Sequence, residues 1–336
     1  MEKVLRARIA GTGMRVPDFV LTNDMLAGIV DTSDEWIVPR TGISERRMAV
    51  SESALDLASD AARAAMESAG MEPGEVGFII CATVTSDYIF PAAACFVQER
   101  LGVKDALSFD ISAGCCGFVY ALELADMYIR CGKAQAGLVI GCEIMSRVLD
   151  YTDRTTCILN GDGAGAVAVR ACSDGRGVLS SYMSAECDNG KTLAVYGKNY
   201  MPRAPFDASG TFVGQPESVN PEYMHMNGRA VFEFAVGAAS KALDKCLDMA
   251  GLGMEDVDMF LLHQANKRII DAIIKKYGLP EEKVPVNINK YGNTSAATIP
   301  ILLHEAIAGG RLKEGDVAAM AAFATGLTYG GAVVRM

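Results

Sequence analysis

Residues 68–83 read SAGMEPGEVGFIICAT and residues 249–264 read MAGLGMEDVDMFLLHQ. Each passes from Ala-Gly through a short acidic turn to a valine six residues after the glycine, and that valine, Val76 or Val257, opens an apolar run. Upstream lie ALDLASDAARAAME (54–67) and AVGAASKALDKCLD (235–248), Ala-rich segments whose apolar positions recur at helical spacing. Both stretches therefore read helix, turn, buried strand. The match continues downstream in LGVKDALSFDISAGCCG (101–117) and YGLPEEKVPVNINKYGNTS (277–295), each of which reads as a helix end, a turn and a strand leading into small residues. It also reaches the closing strands GAGAVAVRA (163–171) and TYGGAVVRM (328–336). Segments in matching order argue for duplicated α/β halves that share a core, more strongly than chance likeness of Ala/Gly-rich sequence does.

The expected division is 1–185 and 186–336, because 186–223 is rich in Gly, Pro, Asn and Ser and has no sustained periodicity. A segment that long reads as a lid or pocket wall, or as a disordered crossover.

Composition narrows the function. The chain has 336 residues, half of them apolar, which is enough for a large core. Its ten cysteines are scattered through apolar segments with no CxxC, as reduced core thiols are, and three histidines leave little for a zinc site. No metal site is expected. The start, MEKVLRARIAGTGMRVP, alternates charge with apolar residues as a strand does, and no apolar run approaches the ~18 residues of a membrane span. We expect a soluble cytoplasmic protein that does not engage membranes. A net charge of −10 disfavours binding to nucleic acid.

Ligands of α/β sheets collect at the carboxyl ends of strands. LSFDIS runs into Cys115 and Cys116, MFLL into His263, and VPVNIN into Asn293. Taken singly, each has a plain reading: a core thiol, a hydrogen-bonded core imidazole, a turn or cap residue. Taken together they place a thiol, an imidazole and a carboxamide at related positions of the two halves. GFVYALELADMYI after the cysteines has helical periodicity, so Cys115 is expected at a helix N-terminus, where unpaired N–H groups favour a thiolate.

With these residues assembled, the sequence resembles β-ketoacyl-acyl-carrier-protein synthase III, of the thiolase superfamily. The resemblance rests on GTGMRVP (11–17), VDTSDEWIVPRTGI (30–43), FPAAAC (90–95), FDISAGCCGFVYAL (109–122), TDRTTCILNGDGAGAV (152–167), LLHQANKRII (261–270), YGNTSAATIP (291–300) and FATGLTYGGAVVR (323–335). It implies a thiolase-like fold of duplicated α/β halves, layered αβαβα. It also implies an acyltransferase that carries out a decarboxylative Claisen condensation of an acyl-CoA with malonyl-acyl carrier protein through an acyl-cysteine, starting fatty-acid synthesis. Coenzyme A enters as the thioester substrate, and no cofactor is implied.

Residue by residue, the resemblance makes Cys115 the nucleophile and His263 and Asn293 the donors to the enolate, with Cys116 a packing residue. The backbone N–H groups of Cys115 and of the Thr325–Gly326 turn would hold the oxyanion. Trp36 and Arg154 match the pair that sandwiches the adenine of CoA, and Thr32, Arg40 and Asn266 match the rest of that tunnel. Arg268 and Lys275, on one face of a helix whose Ile269, Ile270 and Ile273 point inward, match the region that docks the acidic carrier. Phe90 matches an aromatic residue that reaches the acyl pocket of a homodimer partner. The chain departs from the family at Ala324 and Thr325, where glycines are usual, and at Asn160. The alternatives are a related synthase of specialised metabolism with another starter or acceptor, and a non-catalytic acyl-binding paralogue.

Overall fold

The computed structural model describes residues 4–188, 190–195 and 223–336. The first half opens with the long strand β1 (Arg6–Arg15), followed by a small lobe of β2 (Val20–Thr22), α1 (Asn23–Ala27), α2 (Asp34–Thr41) and β3 (Glu45–Arg47). There follow α3 (Ala54–Ala69), β4 (Phe78–Ala82), α4 (Ala93–Arg100), β5 (Leu107–Ile111), α5 (Gly117–Arg130), β6 (Ala136–Ile144) and β7 (Asp162–Cys172). These build a five-stranded sheet in the order β1-β7-β6-β4-β5, parallel across β6-β4-β5 and antiparallel at β7 and β1.

The second half runs β8 (Gly177–Ala185), β9 (Leu193–Ala194), β10 (His225–Met226), α6 (Gly228–Ala250), β11 (Met259–Leu262), α7 (Lys267–Tyr277), α8 (Ile288–Tyr291), α9 (Thr298–Ala308), β12 (Val317–Ala324) and β13 (Thr328–Arg335). Its four-stranded sheet has the order β11-β12-β13-β8. The two sheets superpose as a pattern: β4, β6, β7 and β1 correspond to β11, β12, β13 and β8, with the same senses of pairing. By sheet membership β8, at the end of the expected first half, joins the second sheet. One sequence expectation changes here. The strand expected in VPVNIN does not form. Residues 284–287 are irregular and lead into the short α8, because Pro285 has no N–H for a ladder and the Asn287 N–H is taken by the side chain of Gln264. Most of the expected crossover, 196–222 with residue 189, lies outside the described residues.

Period-two alternation sorts the strands' side chains into layers. On β4, Phe78, Ile80 and Ala82 enter a central cluster with α5 and α9, while Ile79 and Cys81 turn to α3 and α4. On β12, Ala318, Met320 and Ala322 face the same central cluster, while Ala319, Ala321 and Phe323 face α6 and α7. The order of layers is therefore helix, sheet, helix, sheet, helix. α5 and α9 form the shared middle, which explains why neither has a clean polar face.

The halves meet at contacts that exclude a side chain. A Cβ at Gly141 would lie 2.2 Å from the Ala296 carbonyl oxygen, and one at Gly161 would lie 2.2 Å from that of Tyr291. Arg46 anchors the small lobe. Fully buried, it donates to the carbonyls of Leu21 (3.2 Å) and Ile158 (2.6 Å) and to Asn23 Oδ1 (2.8 Å). Gly141→Ala should lower the unfolding free energy by about 1–3 kcal/mol, seen as a lower urea midpoint at unchanged slope.

Candidate active site

Cys115 sits in a single 3-10 turn, Gly114–Cys116, between the end of β5 and α5. The turn needs Gly114, whose φ of +52° suits glycine and whose α-carbon faces Ala324 and Thr325, with Thr325 Cγ2 3.0 Å from where a Cβ would sit. The nucleophile turn and the Thr325–Gly326 turn are thus in direct contact. Cys115 is half-buried, whereas Cys116 is fully buried in the central cluster, its thiol 3.5 Å from the Thr328 carbonyl. Of the two, only Cys115 is partly exposed. The expected thiolate is not what the structure favours: burial pushes the Cys115 thiol up to about 12, and the Glu143 charge adds to it. Burial is the larger cause, so the thiol holds its proton at neutral pH.

His263 follows β11, its N–H bonded to the Ala321 carbonyl at 2.9 Å and its ring packed edge-on to Phe323 at 5.2 Å. Burial pushes it down to about 3, so it is neutral. Nδ1 lies 2.6 Å from Thr298 Oγ1, and Nε2 is buried without a partner. The tautomer is decided by one hydroxyl proton. Donated to Nδ1, it leaves the ring proton on Nε2; donated to the Ser295 carbonyl 3.0 Å away, it draws the ring proton to Nδ1.

Asn293 is placed by both halves. Its N–H donates to the Leu159 carbonyl at 2.9 Å and its carbonyl accepts from Gly161 at 3.1 Å, a bridge that pairs Asn160 with Asn293. Its Oδ1 accepts from the Ser295 N–H at 2.8 Å, which leaves Nδ2 as the outward donor. The strand-end route to Asn293 is therefore replaced by this bridge.

Three residues that the sequence reading did not single out complete the constellation. Ser295 bonds Asn293 through its N–H, Thr298 through its carbonyl, and Glu143 (3.2 Å) through its hydroxyl. Thr298 and Ser295 were in view within YGNTSAATIP. Glu143 carried a clearer signal, a lone carboxylate in the apolar strand AGLVIGCEI.

The residues aligned with a CoA tunnel gather at the small lobe. The guanidinium of Arg154 lies 4.9 Å from the Trp36 ring centroid and that of Arg40 lies 4.5 Å from it. Trp36 and Arg154 therefore touch each other and leave no space for a flat ring between them. Arg154 is held there by the Asp31 carbonyl (2.7 Å) and carboxylate (3.1 Å), surface contacts of a kind that break readily. The Thr32 hydroxyl is buried without a partner, as an unfilled ligand contact would be. Asn266 caps α7 through Arg268 N–H at 2.9 Å and donates to the Arg40 carbonyl at 3.1 Å, so both ends of its side chain serve the fold. On α7, Ile269, Ile270 and Ile273 are buried as expected, and Arg268 and Lys275 are exposed. Phe90 lies outside the constellation, 82% exposed beside Ile89 at 89%.

Residues 109–187 match the family model for 3-oxoacyl-[acyl-carrier-protein] synthase III, and residues 247–336 match the model for its C-terminal part. The chain is 44% identical over 335 residues to the β-ketoacyl-[acyl-carrier-protein] synthase III of Caldanaerobacter subterraneus, covering 98% of each chain. It superposes on the crystal structure of 3-oxoacyl-[acyl-carrier-protein] synthase III from Aquifex aeolicus with a TM-score of 0.89 at 45% identity, covering 98% and 100% of the two chains. The priming β-ketosynthase of a polyketide pathway superposes with a TM-score of 0.89 at 31% identity, covering 98% and 96%.

Two outcomes follow from the site's geometry. Thr298→Val keeps the shape but orphans His263 Nδ1, and should cost about 1–3 kcal/mol in urea unfolding. Between pH 6.5 and 3 the unfolded chain binds a proton on His263 that the folded chain refuses, so stability falls as the pH drops through this window. His263→Gln should flatten that part of the stability curve.

Proposed function

The chain belongs to the 3-oxoacyl-[acyl-carrier-protein] synthase III family, and from that premise we propose how its residues carry out the family's condensation. It is an acyltransferase of the condensing type that initiates fatty-acid synthesis. The observation that carries the assignment of roles is the network in which Ser295 holds the Asn293 carboxamide through its N–H and meets the His263 imidazole through Thr298.

Cys115 attacks the thioester carbonyl of an acyl-CoA and keeps the acyl group as a new thioester, so little free energy is lost. The tetrahedral oxyanion is held by the N–H groups of Cys115 and of the Thr325–Gly326 turn, which packs on Gly114. Malonyl-acyl carrier protein then loses carbon dioxide, and the enolate oxygen is held by two donors, Nδ2 of Asn293 and Nε2 of His263. Asn293 is preset for this because Ser295 occupies its Oδ1. His263 is preset when the Thr298 hydroxyl donates to Nδ1, which fixes the proton on Nε2. A neutral imidazole suits a donor and not a general acid. The enolate carbon attacks the acyl-cysteine and releases the β-ketoacyl product.

CoA enters at Trp36, where its adenine displaces the Arg154 guanidinium and comes to lie between the two, with Thr32, Arg40 and Asn266 along the tunnel. The basic residues Arg268 and Lys275 receive the acidic carrier, a local attraction that a chain of net charge −10 needs. The exposed run Tyr88, Ile89 and Phe90 supports a homodimer in which Phe90 reaches the partner's acyl pocket. The unbridged core thiols Cys81, Cys142 and Cys246, with CoA as substrate, support a cytoplasmic setting.

Intact-protein mass spectrometry with a panel of acyl-CoAs tests the nucleophile: one acyl group should add to the wild type and to Cys116→Ala but not to Cys115→Ala. Labelling that survives Cys115→Ala would sink the assignment. Asn293→Ala and His263→Ala should still acylate, yet lose condensation with malonyl-acyl carrier protein by about 10²–10³-fold in kcat. Ile89→Asp should convert a dimer into a monomer in light scattering.

A further inference from the structure

Glu143 is a buried carboxyl for which the condensation chemistry has no direct use. It lies on β6 with no solvent exposure, and among the described residues it forms no ion pair. A carboxylate placed so is costly unless its lone pairs are used. Oε2 accepts from the hydroxyls of Thr85 (2.5 Å) and Thr83 (3.4 Å) and from the Val84 N–H (3.1 Å), which also reaches Oε1 at 3.3 Å. Oε1 accepts from the Ser295 hydroxyl at 3.2 Å. Both threonine hydroxyls already accept from an N–H, Thr85 Oγ1 from Ile144 (2.8 Å) and Thr83 Oγ1 from Thr85 (3.2 Å), which turns their protons toward the carboxylate. Residues 83–85 belong to the loop after β4 in the first half, whereas Ser295 belongs to the second. Glu143 therefore grips both halves at once.

The face of the sheet around Glu143 is shaped for that grip. Gly141 lies two residues before Glu143 on β6 and so on the same face, and the residues opposite the two on β7 are Gly165 and Gly163. A Cβ at Gly141 would lie 2.2 Å from the Ala296 carbonyl oxygen, and one at Gly165 would lie 2.7 Å from the Ile301 nitrogen. These glycines clear the face of side chains and let the backbone of 295–301 settle on the sheet, with Glu143 as the polar group that takes hold of it. Ser295 needs holding, because its φ of +51° lies in the left-handed region that a serine seldom adopts. In that conformation its N–H meets Asn293 Oδ1 at 2.8 Å and its carbonyl meets the Thr298 hydroxyl at 3.0 Å, which in turn lies 2.6 Å from His263 Nδ1.

We propose that Glu143 is a positioning residue for the condensation step: by holding the Ser295 hydroxyl it holds the Ser295 backbone, and through it the Asn293 carboxamide and, by way of Thr298, the His263 ring. The inference rests on the reading of Asn293 and His263 as the two donors to the enolate, and adds what keeps them aimed. Acylation of Cys115 makes no use of these donors, so the contribution of Glu143 falls on the second half-reaction. A carboxylate suits the task better than a neutral side chain, because it accepts on both oxygens and its charge strengthens each bond. Burial pushes the Glu143 carboxyl up to about 7 against the hydrogen bonds it accepts, so the ionised, acceptor-only form prevails above neutrality.

The test separates the two half-reactions at pH 8. Acylation from acetyl-CoA is followed by intact-protein mass spectrometry and condensation with malonyl-acyl carrier protein by turnover, in the wild type, Glu143→Ala, Glu143→Gln, Ser295→Ala and the double variant Glu143→Ala/Ser295→Ala, with Asn293→Ala as reference. Glu143→Ala and Ser295→Ala should acylate no more slowly than the wild type, yet lose about 10²-fold in condensation kcat at unchanged KM for malonyl-acyl carrier protein. Glu143→Gln, whose amide can still bond the Ser295 hydroxyl but without the charge, should fall between. The double variant should lose no more than the worse single one, because both cut the same link. A structural strut would slow both half-reactions together or neither, and either result overturns the proposal. If Glu143→Ala does not fold, Ser295→Ala decides by the same split. Loss of condensation in Asn293→Ala with none in Ser295→Ala would refute the positioning alone. Full condensation in Asn293→Ala beside selective loss in Ser295→Ala would refute the role of Asn293 and leave Glu143 positioning His263.

Discussion

The hydrogen bonds of Ser295 are the constraint on which the rest of this site depends. One residue spends its N–H on Asn293, its carbonyl on Thr298 and thereby on His263, and its hydroxyl on Glu143. The side chains so joined come from three parts of the chain: strand β6, the end of β11 and the turn that opens α9. A polar network this buried holds a single geometry only if its members are satisfied together. The buried Nε2 of His263 is the exception, with no hydrogen-bond partner among the described residues.

The close approach of the two halves makes this network possible. Gly141 and Gly161 let β6 and the Asn160 segment touch the backbone on either side of Asn293 at distances a methyl group would forbid. The Asn160–Asn293 bridge then ties a residue of the second half to the backbone of the first. The shared helices α5 and α9 fill the space between the sheets, so the Cys115 turn before α5 and the Ser295 turn before α9 lie side by side by the symmetry of the repeat. The duplication thus supplies two equivalent turns with different residues.

Burial in this site works against charge and in favour of control. It lifts the Cys115 thiol, lowers His263 and brings Glu143 to about 7, so the thiol and the imidazole are neutral near pH 7. At the small lobe the balance reverses. Trp36, Arg40, Arg154 and Asp31 form exposed, weakly held contacts. Thr325, one of the departures from the family, donates to the Leu193 carbonyl at 2.5 Å and so ties the turn beside Gly114 to β9.

The sequence alone determined the duplication, the succession of helices and strands, and the candidate trio, because the 3.6- and 2-residue periods and the spacing of the repeat are local properties of the chain. Cys115 and Cys116 were separable for the same reason: adjacent residues at a helix start cannot both face one cavity. The route to Asn293 was not legible, since the pattern of VPVNIN fits a strand until Pro285 and the contact of Asn287 with Gln264 are seen to break it. Nor was the sheet that β8 joins, because β8 looks like the end of one run until its pairing with β13 is seen. Only the tertiary structure decided the protonation of the thiol and the company of Glu143. Those depend on desolvation and on hydrogen bonds between residues up to 152 positions apart, which no local pattern encodes.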